Sequence, residues 1–317
     1  MPDRRVTMRD VARESGVSPA TVSFVLNDSA SQTIPDATRE RVRAAAERLG
    51  YRPHGVARAL REGSSRIVVL HTARLPHGGS SLESFIDGLT AELSEAGYAL
   101  LLDRGTTPGG LDEVVASIRP RAVLDLDAVY FGEAGGDGDG TDVPDGGWVD
   151  GLAAHTATQL GYLLDRGHTA IAMAVPPAGG PLERLVELRT TYARQVLTER
   201  GGAPLELLTV GAGASEDRDA LAQLRAGQPA VTAVAAIHDD SALRVLAAAA
   251  GLGIRVPDEL AVIGFDDTEY GALWAPALTT VRIDAEGYGR RAARELLGSP
   301  GGSAGPDPSI VIRRASA

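Results

Sequence analysis

Cysteine is absent from the 317 residues, which removes disulfides, thiolate-bound zinc, iron–sulfur clusters and thiol nucleophiles together. Lysine is absent too. All 31 basic residues are arginine, so the chain holds neither a P-loop lysine nor a Schiff-base lysine, and pyridoxal enzymes are excluded with them. No apolar run reaches the roughly 18 residues a bilayer span needs. The Arg-rich N-terminus lacks the apolar stretch of an export signal, so a cytoplasmic protein with no membrane partner is expected. Asparagine occurs once, as Asn27.

What is present is ample apolar material, 44% hydrophobic residues, and a length of about two domains at roughly 150 residues each. Charge is unevenly spread. Residues 1–66 carry 12 Arg against 8 acidic residues, a net of +4, whereas the remaining 251 carry 19 against 34, a net of −15. A cationic head on an acidic body suits a nucleic-acid-binding module joined to a regulatory domain, because phosphate neutralisation needs only local positive charge. Chance asymmetry among surface residues would give the same excess, so the charge needs support from the motifs.

Thr7 followed by Asp10 reads as a capping box opening a helix over Met8–Glu14. Gly16 breaks the chain; Ser18 is an N-cap and Pro19 takes the first helical position, where its missing N–H costs nothing. The next helix runs to about Leu26, with Val22, Val25 and Leu26 inward against Val11, Ala12 and Val17. Asn27 stands at its end, where Asn tolerates the left-handed conformation. A third helix covers Asp36–Leu49, with Val42, Ala45, Ala46 and Leu49 on one face and Gly50 as the stop. Two short helices joined by a Gly-containing turn form either an ordinary helical hairpin or a helix-turn-helix whose second helix enters a major groove.

The string from Thr7 through Val17-Ser18-Pro19-Ala20-Thr21-Val22-Ser23-Phe24-Val25-Leu26-Asn27 resembles the headpiece of lac-repressor-type (LacI/GalR) transcription regulators. Leu49-Gly50-Tyr51-Arg52-Pro53 continues the resemblance, and His54-Gly55-Val56-Ala57-Arg58-Ala59-Leu60 resembles the family's hinge helix. The resemblance implies DNA contacts from Thr7, Ser18, Pro19, Ala20, Thr21, Ser23, Phe24, Asn27 and His54, with Ala57 and Leu60 entering the minor groove, Leu60 as the wedge that kinks the duplex. Pro19 and Ala20 occupy the pair that usually sets operator choice, and both offer only apolar contact, for instance to thymine methyls. Phe24 stands where many members have Arg, so no operator sequence carries over. Gly55 disfavours an isolated hinge helix by about 1 kcal/mol relative to Ala, so the hinge is expected to order only when two copies meet on DNA.

Beyond Arg66, apolar runs alternate with amphipathic stretches. Ile67–Leu70, Ala99–Leu102, Ala122–Leu124, Val129–Phe131, Ala170–Val175, Leu205–Val210, Val231–Ile237 and Leu260–Phe265 read as buried parallel strands. Leu82, Phe85, Ile86, Leu89 and Leu93 trace one helical face, and Ala242–Ala250 reads as another helix. Alternating β and α implies open sheets with ligand sites beyond the strands' C-terminal ends. Arg166-Gly167-His168, Val256-Pro257-Asp258-Glu259-Leu260, Val262-Ile263-Gly264-Phe265-Asp266-Asp267 and Pro276-Ala277-Leu278-Thr279-Thr280 resemble the same family's effector domain. The implied fold is an all-α helix-turn-helix headpiece plus an α/β, two-lobed, periplasmic-binding-protein-like (type I) domain. Its expected division is 1–53 headpiece, 54–65 hinge and 66–317 effector and dimerisation domain. The first lobe would take 66–150 plus 283–300 and the second 151–282 plus 305–317.

In that family a sugar or related metabolite is held between the lobes by an Arg and several carboxylates. The resemblance places these at Arg189, in a helix start at Leu188-Arg189, at Asp266 and at Asp150. His238 replaces the family's usual Asn, and Trp274 either stacks on a sugar ring or forms a buried cleft floor. An Arg fork with carboxylates suits a polyol or purine; a structural ion pair between Arg189 and Asp266 is the alternative. The Gly/Asp-rich stretch 132–147 is too polar to pack, and the His71–Ser81 loop is unfamiliar.

Three decoys fall away. Gly301-Gly302-Ser303-Ala304-Gly305 has the nucleophile pattern, but no strand before it and no His after it. Asp137-Gly138-Asp139-Gly140-Thr141 lacks the Gly and Glu a calcium loop requires. His238-Asp239-Asp240 is a single tripeptide, too little for a metal. No catalytic constellation, cofactor or metal is expected.

The expected function is a sequence-specific, nucleoid-associated regulator, a repressor whose homodimer binds a pseudo-palindromic double-stranded operator and responds to a sugar-like effector. A DNA-binding regulator without ligand response is one alternative. A small-molecule-binding or catalytic α/β protein with an N-terminal interaction arm is another, and it predicts binding or turnover unaffected by deleting residues 1–62. No heptad repeat follows Leu297, which favours a dimer over a tetramer.

Overall fold

The computed structural model describes residues 6–26, 34–51, 63–72, 80–105, 107, 109–126, 146–180, 182–227, 230–299 and 309–317. The chain divides after Arg66 into two compact units, the first also taking in Ser117–Arg119.

The first unit holds three helices, α1 (Met8–Ser15), α2 (Pro19–Leu26) and α3 (Asp36–Arg48). Thr7 donates to the Asp10 carboxylate from both its backbone N–H (2.9 Å) and its hydroxyl (2.7 Å), closing the first turn of α1. Gly16 ends α1 at φ +68°, a left-handed conformation that glycine enters without a Cβ penalty. Ser18 then caps α2, its Oγ accepting the Thr21 N–H at 3.1 Å. Val11, Ala12, Val22, Val25, Val42, Ala45 and Ala46 form the buried core, and Arg41 ties α3 to the end of α1 through the Ser15 carbonyl at 2.9 Å.

The second unit contains two sheets. β1 (Ile67–His71), β2 (Ala99–Asp103) and β3 (Ala122–Asp125) form a parallel sheet in the order β2-β1-β3, with α4 (Ser80–Glu95) and α5 (Gly110–Ile118) in the connections. The larger sheet runs β5-β4-β6-β7-β8-β9, from β4 (Ile171–Val175), β5 (Glu206–Thr209), β6 (Ala233–Ala236), β7 (Ala261–Phe265), β8 (Thr279–Arg282) and β9 (Ile310–Ile312). The remaining helices are α6 (Trp148–Leu164), α7 (Glu183–Glu199), α8 (Ala214–Arg225), α9 (Asp239–Gly251), α10 (Glu269–Leu273) and α11 (Ala285–Leu296), the last packed on α4 beside the small sheet. The central strands are buried on both faces, which explains their unbroken apolar runs. Ile171, Met173 and Val175 join the core with Leu160, Leu163 and Ala193, whereas Ala172 and Ala174 join Val245, Leu246 and Ala249 on the opposite face.

Several expectations shift. The α/β reading and the predicted strand bounds hold to within about two residues, except Val129–Phe131, which lies outside the described residues. However, β2 and β5, expected to be buried, are sheet edges with Leu101, Leu102 and Leu207 exposed. The sheet is not all parallel: β9 pairs antiparallel with β8. Neither β8 nor β9 was expected, because Thr-rich β8 lacks an aliphatic run and β9 is three residues long. Arg189 sits inside α7 rather than at a helix start, since the helix already begins at Glu183.

Candidate DNA interface and effector site

On α2 the residues divide by face. Val22 and Val25 are buried; Ser18, Pro19 and Ala20 are exposed, and Thr21, Ser23 and Phe24 are half-buried. Thr7, at the start of α1, is exposed. The structure therefore gathers Ser18, Pro19, Ala20, Thr21, Ser23 and Phe24 on or beside one exposed helix. Asn27, His54, Ala57 and Leu60 lie outside the described residues.

In the second unit a polar cluster occupies the C-terminal ends of β6 and β7. Arg189 is 1% exposed. Its guanidinium donates to Gln159 Oε1 (2.5 Å), to the Ile237 carbonyl (2.5 Å) and, at 3.4 Å, to Thr156 Oγ1, while its plane lies 3.9 Å from the Phe265 ring centroid. Burial pushes this guanidinium down to about 10, partly offset by the charge of Asp266. Gln159 is itself fully buried, and its amide nitrogen donates to the Ala236 and Gly264 carbonyls at 2.9 Å each. Thus α6 is pinned to two strand ends and holds Arg189 against them. Neutral acceptors, not Asp266, hydrogen-bond Arg189.

Asp266 and Asp267 follow β7 with φ of +103° and +49°, values that side-chain-bearing residues rarely adopt. Asp267 supplies the restraint: its carboxylate accepts from Arg314 Nη2 (2.7 Å) and Arg282 Nε (2.7 Å). Asp266 is presented toward the first sheet's side, where Ser81 of α4 donates to its Oδ1 at 2.6 Å. Burial raises the Asp266 carboxyl, against the lowering effects of Ser81, His238 and Arg189. His238 caps α9. Its Nδ1 accepts the Ser241 N–H at 3.3 Å, so the neutral ring carries its proton on Nε2. Burial lowers its pKa, and the neighbouring Asp266 and Asp240 charges oppose that shift.

Asp239 is fully buried but structural: it accepts from Thr280 Oγ1 (2.6 Å), Thr268 N (2.7 Å) and Thr268 Oγ1 (3.0 Å). A Cβ on Gly264 would lie 2.0 Å from Asp239 Oδ1, which is why glycine precedes Phe265 and Asp266 here. Trp274 is 40% exposed, beside the exposed Tyr270 and Leu273, and is not a buried cleft floor. Asp150 lies within α6, but its side chain is outside the described residues. Ser81, Thr156 and Gln159 were missed by sequence reasoning. A Gln on an apolar helix face gives no signal, because its partners are backbone carbonyls on strands far along the chain. Among the described residues no group of three metal-ligating side chains forms, and no helix is long and apolar enough to cross a membrane.

A headpiece of this shape, joined to a sheet domain with a polar cluster at its strand ends, defines a helix-turn-helix DNA-binding transcriptional regulator. Residues 7–54 match the model of bacterial regulatory proteins of the lacI family, and residues 160–316 match that of periplasmic binding protein-like domains. The chain is 31% identical to the HTH-type transcriptional regulator reg1 of Streptomyces lividans, covering 98% of this chain and 96% of the relative. It is 30% identical to the HTH-type transcriptional repressor PurR of Erwinia tasmaniensis, covering 92% and 89%. Its fold resembles the lac repressor dimer bound to operator and the anti-inducer ONPF, with a TM-score of 0.73, 24% identity and 99% of each chain covered. The chain belongs to the lacI family.

Proposed function

We propose that this regulator is a repressor acting as a homodimer on a pseudo-palindromic operator on the nucleoid, and that a sugar-like metabolite in the cleft between its two sheets modulates it. The observation that carries the reading is the pairing of an exposed second helix on a helix-turn-helix with Asp266, held in strained backbone conformation and bonded to Ser81 on the other side of the cleft. A ligand with adjacent hydroxyls finds an acceptor in Asp266 and a donor in the Nε2–H of His238. Two headpieces occupy successive major grooves, with Leu60 from each hinge wedging the minor groove between them. Effector binding changes lobe closure and so hinge spacing, a coupling typically of about 1–3 kcal/mol.

A regulator without ligand response is favoured by one specific observation: Arg189 is already engaged by Gln159, Ile237 and Thr156. One experiment tests both readings. Full-length protein selects from randomised duplex DNA at two salt concentrations, with Leu60→Ala in parallel, and the recovered operator is then titrated in the presence of sugars and nucleosides. A pseudo-palindrome whose affinity falls steeply with salt and with the variant supports the repressor reading. A panel member that shifts affinity supports the effector, and indifference to every member favours the ligand-independent regulator. Binding equal for all sequences overturns the repressor reading.

A further inference from the structure

The outward face of α2 has an unusual chemistry. Its eight residues, Pro19 to Leu26, include no Arg, Lys, Asn, Gln, Asp or Glu. Those are the side chains that read base edges by hydrogen bonds, Arg and Lys bidentate on guanine, Asn and Gln bidentate on adenine, and the acids accepting from cytosine N4. The helix therefore reads by hydroxyl and by apolar surface alone.

The hydroxyls are partly committed within the protein. Ser18 Oγ accepts the Thr21 N–H at 3.1 Å and shares a 2.9 Å hydrogen bond with Thr21 Oγ1. The apolar surface is concentrated. At about 100° per residue, Ala20 and Phe24 stand one turn apart on the side opposite Val22 and Val25. Phe24 is the largest side chain on the helix, and among the described residues it is not part of the packed headpiece core, which takes Met8, Val17, Leu26, Ile34, Leu49 and Tyr51 as its partly buried neighbours. Phe24 is half-buried, so part of its ring stays accessible on the helix face opposite Val22 and Val25. An aromatic edge exposed on a major-groove helix has one specific apolar partner in DNA, the thymine C5-methyl, which no other base presents.

We infer that Phe24 is a specificity-determining residue that reads a thymine methyl in each half-site, with Ala20 completing the apolar contact. The inference rests on the DNA-binding reading above and adds the chemical class of base it selects. Phe24 fixes thymine at one symmetric pair of operator positions, and the contact contributes to sequence choice without contributing to the salt dependence that phosphate contacts generate.

Uracil in place of thymine removes only the methyl and leaves base pairing and edge hydrogen bonds unchanged, so it isolates the contact. The recovered operator is synthesised with uracil at each thymine in turn and its affinity measured for wild-type protein, Phe24→Ala, Phe24→Leu and Phe24→Arg. At the position Phe24 reads, uracil should weaken wild-type binding about threefold to fivefold per half-site, and about tenfold to twentyfold in both, from the lost burial of one methyl. The penalty should vanish in Phe24→Ala and persist in part in Phe24→Leu, which keeps apolar bulk. Phe24→Arg should move the preferred base pair at that position to one presenting guanine. Circular dichroism melts establish that each variant headpiece is folded; Phe24→Leu carries the test if Phe24→Ala is not.

The inference is overturned if wild type shows no uracil penalty at any symmetric position, or if the penalty is the same in folded Phe24→Ala and wild type. In the latter case Pro19 or Ala20 reads the methyl. Failure of this inference with a palindrome still recovered leaves the repressor reading intact, whereas a wild-type protein that selects no sequence overturns both.

Discussion

Ser81, in the first turn of α4, donates its hydroxyl to Asp266 Oδ1 at 2.6 Å, joining the helix that covers the small sheet to the loop that follows β7 of the large one. The bond closes onto a residue whose backbone is strained, at φ +103°, and whose neighbour Asp267 is gripped by Arg282 and Arg314. A rigid loop thus meets a hydroxyl that any ligand of Asp266 must displace or share.

Replacement of Ser81 by Ala should loosen this junction. A hydrogen bond to a carboxylate contributes about 1.5–3 kcal/mol, so amide exchange at 263–268 and along the start of α4 should accelerate about tenfold or more while the headpiece is unaffected. The Asp266 carboxyl, already raised by burial, should rise further without its donor. Exchange rates equal to wild type would show that Ser81 does not restrain the loop.

Gln159 carries a heavier structural load. It accepts from Arg189 and donates to the carbonyls of Ala236 and Gly264, all without access to water. Gln159→Leu keeps the approximate volume but strands an acceptor-seeking guanidinium and two carbonyls. A loss of about 2–4 kcal/mol in denaturant unfolding is expected. Gln159→Glu keeps the acceptor for Arg189 but sets its second oxygen, with no proton to donate, against the Ala236 and Gly264 carbonyls, so it should be destabilised as well. A Gln159→Leu loss below about 1 kcal/mol would mean that these contacts do not hold the junction.

The fold was legible because its signals are local. Val22 and Val25, and Val42, Ala45 and Ala46, repeat at helical spacing within their own helices, and β4, β6 and β7 are apolar without interruption because both faces are covered. The candidate site was legible only in part. Asp266 stands in a recognisable string, but the arginines that grip its neighbour Asp267 lie further along the chain, Arg282 on β8 and Arg314 near its end. Ser81 and Asp266 are 185 residues apart, and no pattern in either segment announces the other. Arg189 was expected to face a ligand or an acid; its actual partners are a side-chain amide, a carbonyl and a hydroxyl, which carry no charge signature.

Where α4 crosses α11, two glycines are reciprocal. A Cβ at Gly88 would lie 2.0 Å from the Glu286 carbonyl oxygen, and one at Gly289 would lie 2.0 Å from that of Phe85. Both obstacles are backbone, so no side-chain rotation relieves them. Gly88→Ala or Gly289→Ala should force the helices apart and cost about 3 kcal/mol or more, read as a lower unfolding midpoint. The Arg294 pair with Glu92, at 2.9 Å on both branches, is exposed and should cost less than about 1 kcal/mol when Arg294→Ala breaks it. A glycine variant as stable as wild type would show that the crossing has room the packing does not suggest.

The pH dependence of stability contains an inverted contribution from Asp239. Burial pushes its carboxyl up to about 6, against the hydrogen bonds from Thr280 and Thr268 that favour the charge. The usual carboxylate loses native-state stability as pH falls. Asp239 does the reverse: its folded-state pKa lies above the unfolded value near 3.8, so the folded form binds a proton first and gains stability as pH drops through 6. His238 opposes it, because a pKa lowered by burial means that protonation below about 6.5 disfavours the folded state. Asp239→Asn removes one contribution and keeps the other: its carbonyl still accepts from Thr268, and its amide donates to Thr280 Oγ1. Between pH 7.5 and 4.5, wild type should gain about 2 kcal/mol relative to Asp239→Asn, measured as the difference of two urea-unfolding series. A difference that stays constant across that range would mean Asp239 titrates at an ordinary value, and that its three hydrogen bonds fully offset its burial.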